Sequence, residues 1–333
     1  MSRRLAINSA AAITGFLLAA AGLWLWSGQK SVGSARATTV YLGWVFSGSY
    51  AGEASAAERF GRANDLNITL KQGGPGIDPL KLVTDGTFGV ASSDEVLRAI
   101  QIGAPYIIVG VINDRSPAAF ASLTTANVRT PADLAGKRIG ILPFGSTSII
   151  FQSMLKRNRI DKSAVTEVVV STDLRPFVAG LTHDVQPVFI YDEPVSLDKQ
   201  GVKYNLLLPG EWGVNFKGPV YFTTRNTTVS DPALVGRFLR AMVQGWDFAR
   251  NQSASAIADL KKIAPAIDEA RELEVLKRGL PYYFDANRPL FTSDPQSWEE
   301  MIRELVVYGF LKQEMLPAQF MNLSFAEKSA GKS

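Results

Sequence analysis

The chain has 333 residues, with 35 Lys and Arg against 31 Asp and Glu, one histidine and no cysteine. Disulfides, thiolate nucleophiles, cysteine-held metals and any histidine pair for a metal are therefore excluded. The formal net charge of +4 says little about partners, because residues 1–37 hold Arg3, Arg4, Lys30 and Arg36 and no acid, and the remainder balances at 31 basic and 31 acidic residues. No basic stripe with interleaved aromatics is present, so nucleic acid is not an expected partner.

Arg3 and Arg4 precede an uncharged, mostly apolar run from Leu5 to Trp26, and a polar stretch then closes on Ala35-Arg36-Ala37. A positive start, an apolar centre and an A-x-A ending describe a secretory signal peptide over residues 1–37. The run also reaches the roughly 20 residues that span a bilayer, so an uncleaved membrane anchor is the rival reading. Under both, residues 38–333 are expected outside the cytoplasm and meet the membrane only through the leader. Without disulfides the fold depends on its core, which a chain near 300 residues supplies by burying roughly 75% of its unfolded surface.

From Thr39 onward, short apolar strands alternate with amphipathic helices. The pattern predicts strands near Val40–Trp44, Ile68–Leu70, Phe88–Ala91 and Tyr106–Ile112. Helices are predicted near Gly52–Asn64, Pro79–Thr84 and Asp94–Ile100. Such alternation argues for an α/β lobe with a largely parallel sheet. Two strand-to-helix switches follow one another in it. In Lys71-Gln72-Gly73-Gly74-Pro75-Gly76-Ile77-Asp78-Pro79 the glycines free the backbone path and Asp78 caps a helix that opens on proline. In Phe88–Glu95, Ser92 or Ser93 is the cap. Helix starts of this kind suit anionic or polar ligands, although the same signals also mark ordinary turns.

A second unit begins after the extended segment Phe120–Thr124, with Thr130 as N-cap and Pro131 at the first helical position. It repeats the plan on a smaller scale. Strands are predicted near Arg138–Leu142, Glu167–Val170 and Val185–Ile190, and helices near Ser148–Asn158 and Leu174–Leu181. After Tyr204–Leu208, Val220–Thr224 leads back into a helix over Pro232–Asn251, capped by Asp231 and carrying Leu234, Val235, Phe238, Leu239, Met242, Val243 and Trp246 on a helical period. Crossings near Ala121–Thr125 and Pro219–Thr223 predict two lobes joined by two hinge strands. The division is 38–122 with 222–323 for lobe 1 and 123–221 for lobe 2, followed by a flexible tail over 324–333.

Catalytic signatures are sparse. His183 lies alone between a helix and a strand and reads as structural or surface. There is no G-x-S-x-G elbow and no G-x-x-x-x-G-K-[ST] loop, the acids lack metal spacing, and no cofactor is expected. Tyr191-Asp192-Glu193-Pro194 follows a strand directly, at the end where α/β ligands sit. A carboxylate there accepts from an amino group or ring N–H, with a plain turn as the alternative. Trp44, Phe46 and Tyr50 follow the first strand, and Phe144, Tyr191, Trp212 and Tyr221 fall at strand ends or loops. Rings with polar tips suit a flat ligand, against a core-filling role in which Tyr221 and Phe222 compete for the inward position.

Trp44, Gly73-Gly74-Pro75-Gly76 with Leu82–Gly86, Phe88–Leu97, Thr130–Lys137 with Ile139-Gly140, Asp192-Glu193-Pro194, and Phe238–Ala241 with Gly245-Trp246 occur in that order. This order resembles the solute-binding proteins of ABC transporters that share a fold with alkanesulfonate- and nitrate-binding proteins, in particular those related to the fungal thiamine-pyrimidine synthase. The resemblance covers about Thr39 to Leu311. It implies an α/β, two-lobe periplasmic binding protein of type II that closes on a small molecule, with the ring stacked on Trp44 and an exocyclic amino group taken by Glu193. Between Trp44 and Gly52 the family's pyrimidine members have a proline and then a histidine, whereas this chain has Phe46 and Tyr50. The fungal enzyme consumes its own histidine and needs a cofactor-bearing lysine and a cysteine-rich motif, so the resemblance here points to a binder.

The expectation is thus a monomeric periplasmic receptor, without cofactor, that hands its solute to the transmembrane subunits of an ABC permease. A thiamine-precursor pyrimidine is the favoured solute; an alkanesulfonate, a nitrate-like anion or a riboflavin-type ligand are the alternatives. A pyrimidine-synthase-like enzyme and a tethered sensor domain are the other classes. Stacking is assigned to Trp44 and to Tyr50 or Trp212, acceptance to Glu193, donors to the stretches Gly74-Pro75-Gly76, Ser92-Ser93-Asp94 and Gly145-Ser146-Thr147, and Tyr221 is a further ligand contact.

Overall fold

Alternation decides the first sheet. In Leu66–Lys71 the residues Leu66, Ile68 and Leu70 are buried and Asn67, Thr69 and Lys71 exposed, the period of a strand with one covered face. In the computed structural model, which describes residues 35–143 and 145–331, this is β2. The others are β1 (Arg36–Tyr41), β3 (Phe88–Ser92), β4 (Tyr106–Val111), β5 (Ala118–Leu123), β6 (Arg138–Ile141), β7 (Thr166–Val169), β8 (Val185–Phe189), β9 (Tyr204–Leu207) and β10 (Pro219–Thr224). The leader run and Phe144 lie outside the described residues, so the signal-peptide and anchor readings are not addressed by the fold. Among the described residues no helix is long and apolar enough to cross a membrane.

The strands form two five-stranded sheets of matching order, β2-β1-β3-β10-β4 and β7-β6-β8-β5-β9. In the first, β1 and β3 are parallel, and β10 runs antiparallel to both β3 and β4. In the second, β6 is parallel to β7 and β8, and β5 runs antiparallel to β8 and β9. Each sheet is thus largely parallel with one reversed strand in fourth place.

That reversed strand is where the lobe boundaries differ from the sequence expectation. β5 sits wholly in the second sheet and β10 wholly in the first, so the chain crosses through residues 112–117 and 208–218, not through the strands themselves. An extended apolar run does not disclose which sheet it will join. The two crossings bond to each other: Ile112 N–H and Gly218 N–H donate to Pro219 O and Asn113 O at 3.0 and 2.8 Å, and Ser116 N–H donates to Phe216 O at 2.8 Å.

The helices that shape the cleft are α1 (Ala51–Ser55), α2 (Ser93–Gln101), α3 (Thr147–Arg157), α4 (Glu193–Lys199), α5 (Pro232–Asn251) and α6 (Glu269–Tyr283). α5 has the predicted bounds, and the Asp231 side chain accepts from Leu234 N–H at 3.0 Å. One core joins α5 and α6 to β1 and β2 through Phe238, Trp246 and Leu276. A second runs from Phe222 and Val96 to Phe120 and Ile139 of the other sheet and Phe151 of α3, so Tyr221 and Phe222 serve opposite faces of β10. The tail departs from expectation as well: Ser324–Ser329 is helical, with Ala326 fully buried, because Phe325 and Ala326 give it an apolar face to pack on the first core.

Candidate functional site

A cleft of about 1090 Å³ opens where the carboxyl ends of strands from both sheets converge, the position where α/β sheets bind ligands. Trp44 and Tyr50 line it from the loop and short turn after β1, Gly74 and Gly76 from the loop after β2, and Ser92 from the end of β3. Gly145, Ser146, Thr147 and Glu193 line it from the second lobe.

Local sequence explains much of this wall. Gly74 and Gly76 take φ of 122° and 81°, values that favour glycine, and Asp78 accepts from Leu80 N–H at 2.9 Å, as its place before Pro79 predicts. The opposite wall is set by Glu193 at the start of α4, whose Oε2 accepts Phe189 N–H at 2.8 Å. Burial, with the charge of Asp192 beside it, pushes the Glu193 carboxyl up to about 8.

Five of the predicted residues stand elsewhere. Pro75 is exposed and does not line the cleft. The Ser93 hydroxyl is buried and donates to Lys217 O at 2.8 Å. Asp94 is buried on the inner side of α2, 3.6 Å from Arg98. Trp212 packs into the second core, away from the cleft lining. Tyr221 is fully buried beneath the cleft and donates its hydroxyl to Glu53 at 2.5 Å. For Ser93 and Asp94 a helix start gave the right neighbourhood, and tertiary packing chose which side chain faces in.

The start of α2 spends its own donors. Glu95 accepts Ser92 N–H at 3.3 Å and Ser93 N–H goes to Gly218 O at 3.2 Å. Burial raises the Glu95 carboxyl, against the opposing effects of the Ser92 and Gly145 backbone and of Arg98.

Sequence reasoning missed Glu53 and Asn113. Glu53 lies on α1 and is 1% exposed. The close backbone approach of α1 to α5 fixes it, since a Cβ on Gly245 would meet Gly52 O at 2.2 Å and one on Gly52 the Trp246 ring at 2.2 Å. Its Oε1 takes the Tyr221 hydroxyl, which in turn accepts Trp246 Nε1–H at 3.2 Å, while Oε2 is buried without a hydrogen-bond partner among the described residues. Burial raises this carboxyl to about 7, against the Tyr221 hydrogen bond that lowers it. Asn113 follows β4 at the first crossing; it is fully buried, and among the described residues neither its side-chain amide nitrogen nor its amide oxygen has a partner. The Thr147 hydroxyl is in the same state. All three residues line the cleft. The signal for Glu53 was a single acid in the small-residue run Ala51–Ala57, and for Asn113 a polar residue at a strand's carboxyl end.

Tyr191 and Tyr283, 5.7 Å apart between ring centroids, complete the aromatic lining. His183 is 2% exposed, bonded to Thr182 and Gln186 and stacked on Phe177 inside the second lobe, a structural placement. Among the described residues no group of three or more His, Asp or Glu could hold a metal.

Comparisons with known proteins agree with this architecture. The alkanesulfonate-binding protein SsuA of Xanthomonas axonopodis pv. citri, solved with MOPS bound, is 20% identical with a TM-score of 0.66, over 87% of this chain and 99% of that one. This likeness shows the fold, the two-lobe periplasmic-binding-protein architecture expected from sequence. The 4-amino-5-hydroxymethyl-2-methylpyrimidine phosphate synthase of Legionella pneumophila is 22% identical over 273 residues, 80% of this chain and 84% of the relative. The formylaminopyrimidine-binding protein of Halalkalibacterium halodurans is 24% identical over 249 residues, 72% and 75% of the two chains. The family model described as NMT1/THI5 like matches residues 56–256, more than half of the sequence, and the chain belongs to that family.

Proposed function

We propose that this chain is the extracytoplasmic solute-binding component of an ABC importer, and that its solute is a small, flat, amino-bearing heteroaromatic of the thiamine-precursor pyrimidine class. The observation that carries the reading is a group of buried polar atoms, unpartnered among the described residues, on both walls of one aromatic-lined cleft: Glu53 Oε2, the Asn113 amide and Thr147 Oγ1, with Arg98 Nε a further one. Buried polar groups cost free energy until something bonds them, and a solute with matching donors and acceptors does so. A flat ring stacks on Trp44 and Tyr50, while Glu193 takes an amino group. Closure of the lobes about residues 112–117 and 208–218 then favours the form that grips the solute best.

The names of two relatives support a pyrimidine. One of them is a synthase, and that keeps turnover as the second reading. The absence of cysteine from the chain and the burial of its one histidine away from the cleft favour capture without chemistry. A sulfonate or nitrate-like anion is disfavoured by the Glu53 and Glu193 carboxyls in the cleft and by the Ser92 N–H already given to Glu95. Cleavage after Ala37 and delivery to permease subunits belong to the same proposal; the mass of the protein from the cell envelope distinguishes a free N-terminus at Thr38 from a tether.

A thermal-shift panel of pyrimidines, sulfonates and flavins tests the reading. An aminopyrimidine should raise the melting temperature most and be recovered unchanged. A larger shift with a sulfonate, or chemical conversion of the pyrimidine, would replace it.

A further inference from the structure

The cleft is lined by more carboxyl groups than basic side chains. Among the described residues Glu53 has no ion pair; the groups facing it are the Trp246 indole N–H and the hydroxyls of Tyr50, Tyr191, Tyr221 and Tyr283. Asp259, on the helix Ser253–Ile263 packed beside α1, is turned to Ser55 and Arg59. On the other wall, Arg271 of α6 is the cation that acts on Glu193, yet it is already bonded to Asp192 and to Glu272, the latter at 2.6 Å. The remaining basic residues at the cleft are turned to other acids or in solvent: Arg98 approaches Asp94 of its own helix at 3.6 Å, with its Nε unpartnered among the described residues, Lys81 is with Asp78, and Lys312 is exposed.

Around these carboxyl groups stand the rings of Trp44, Tyr50, Tyr191 and Tyr283, whose faces attract cations. A buried carboxyl without a counter-charge drifts to its neutral form, and Glu53 and Glu193 both do so.

We propose that the cleft takes its solute as a flat amidinium-type cation, with N–H groups paired to Glu53 on the first lobe and Glu193 on the second. This rests on the solute-binding reading above and narrows the class of solute. An aminopyrimidine protonated on the ring nitrogen beside its amino group is one such cation. Capture of a permanent cation ionises the two glutamates, so protons leave on binding and affinity rises as pH climbs through 7 and 8.

The test uses benzamidinium and benzamide, flat probes of nearly equal shape that differ in charge, titrated into the protein by calorimetry from pH 6 to 8.5. Benzamidinium should bind at least about tenfold more tightly than benzamide, gain affinity with pH, and lose about tenfold or more in Glu53→Gln, whose amide oxygen still accepts the Tyr221 hydroxyl. Equal affinity for the two probes, or binding of neither, overturns the inference, as does an affinity for benzamidinium that falls with rising pH. If Glu53→Gln fails to fold, the probe pair on the unmodified protein decides. An aminopyrimidine titrated in parallel separates the two readings: its failure with benzamidinium still bound removes the pyrimidine and keeps the charge, and the reverse result does the opposite.

Discussion

The helix that follows the third strand of each sheet begins with two acids, and the two starts have different fates. α2 opens with Ser93-Asp94-Glu95 and α4 with Asp192 and Glu193. In both, the second acid folds back on its own strand end, Glu95 onto Ser92 N–H and Glu193 onto Phe189 N–H. The first acids part company. Asp94 is buried beside Arg98 of its own helix, with neither carboxyl oxygen hydrogen-bonded, whereas Asp192 pairs with Arg271 of α6, which belongs to the first lobe. The same local grammar closes one helix start upon itself and turns the other into a tie between lobes.

The comparison breaks most sharply at Arg271. Arg271→Ala leaves Asp192 and Glu272 uncompensated in a partly buried site and should cost about 3 kcal/mol, read as a lower urea midpoint. If Arg271→Ala unfolds at the unmodified midpoint, the tie carries no load. On the α2 side the expected effect is one of pH. Burial holds the Asp94 carboxyl up to about 7, from an ordinary 3.8. The folded state thus keeps a proton that the unfolded state gives up, and the associated stability is complete below about 4 and lost as pH rises through 7. Melting temperature should fall over that interval, and Asp94→Asn, which does not titrate, should flatten the slope; an unchanged slope contradicts the assignment.

Binding sharpens the contrast further. Glu193→Ala should weaken an aminopyrimidine by about 2 kcal/mol, roughly 30-fold, while Glu95→Ala leaves the affinity within a few-fold. Comparable losses in both variants would mean that α2 reads the solute as well. The smallest effect is on stability: Glu95→Ala removes a capping acceptor and should cost about 1 kcal/mol, measured in the same urea titration.

What was legible in the sequence is what neighbours along the chain determine. The Gly74 and Gly76 turn, the Asp78 cap and the period of α5 need only a few adjacent residues, and they stand as read. Trp44 and Glu193 were placed at strand ends, and both line the cleft. The rest depends on partners far away. Tyr221 reaches Glu53 across 168 positions and Asp192 reaches Arg271 across 79, so no local pattern shows that Tyr221 supports the cleft from beneath or that Asp192 is a tie. Ser93 and Asp94 share a helix turn with lining residues, yet packing against Lys217 and Met301 turns Ser93 inward. The sheet joined by β5 and β10 likewise follows from the crossings, whose mutual hydrogen bonds link residues about 100 positions apart.

Calorimetric titration of the purified chain with 4-amino-5-hydroxymethyl-2-methylpyrimidine, followed by mass analysis of the recovered compound, bears most directly on the cleft as a place of capture without chemistry. Saturable binding at one molecule per chain, weakened in Glu193→Ala and with the compound returned intact, is the result the account predicts. A titration without heat at any pH, or a compound returned with altered mass, would contradict it.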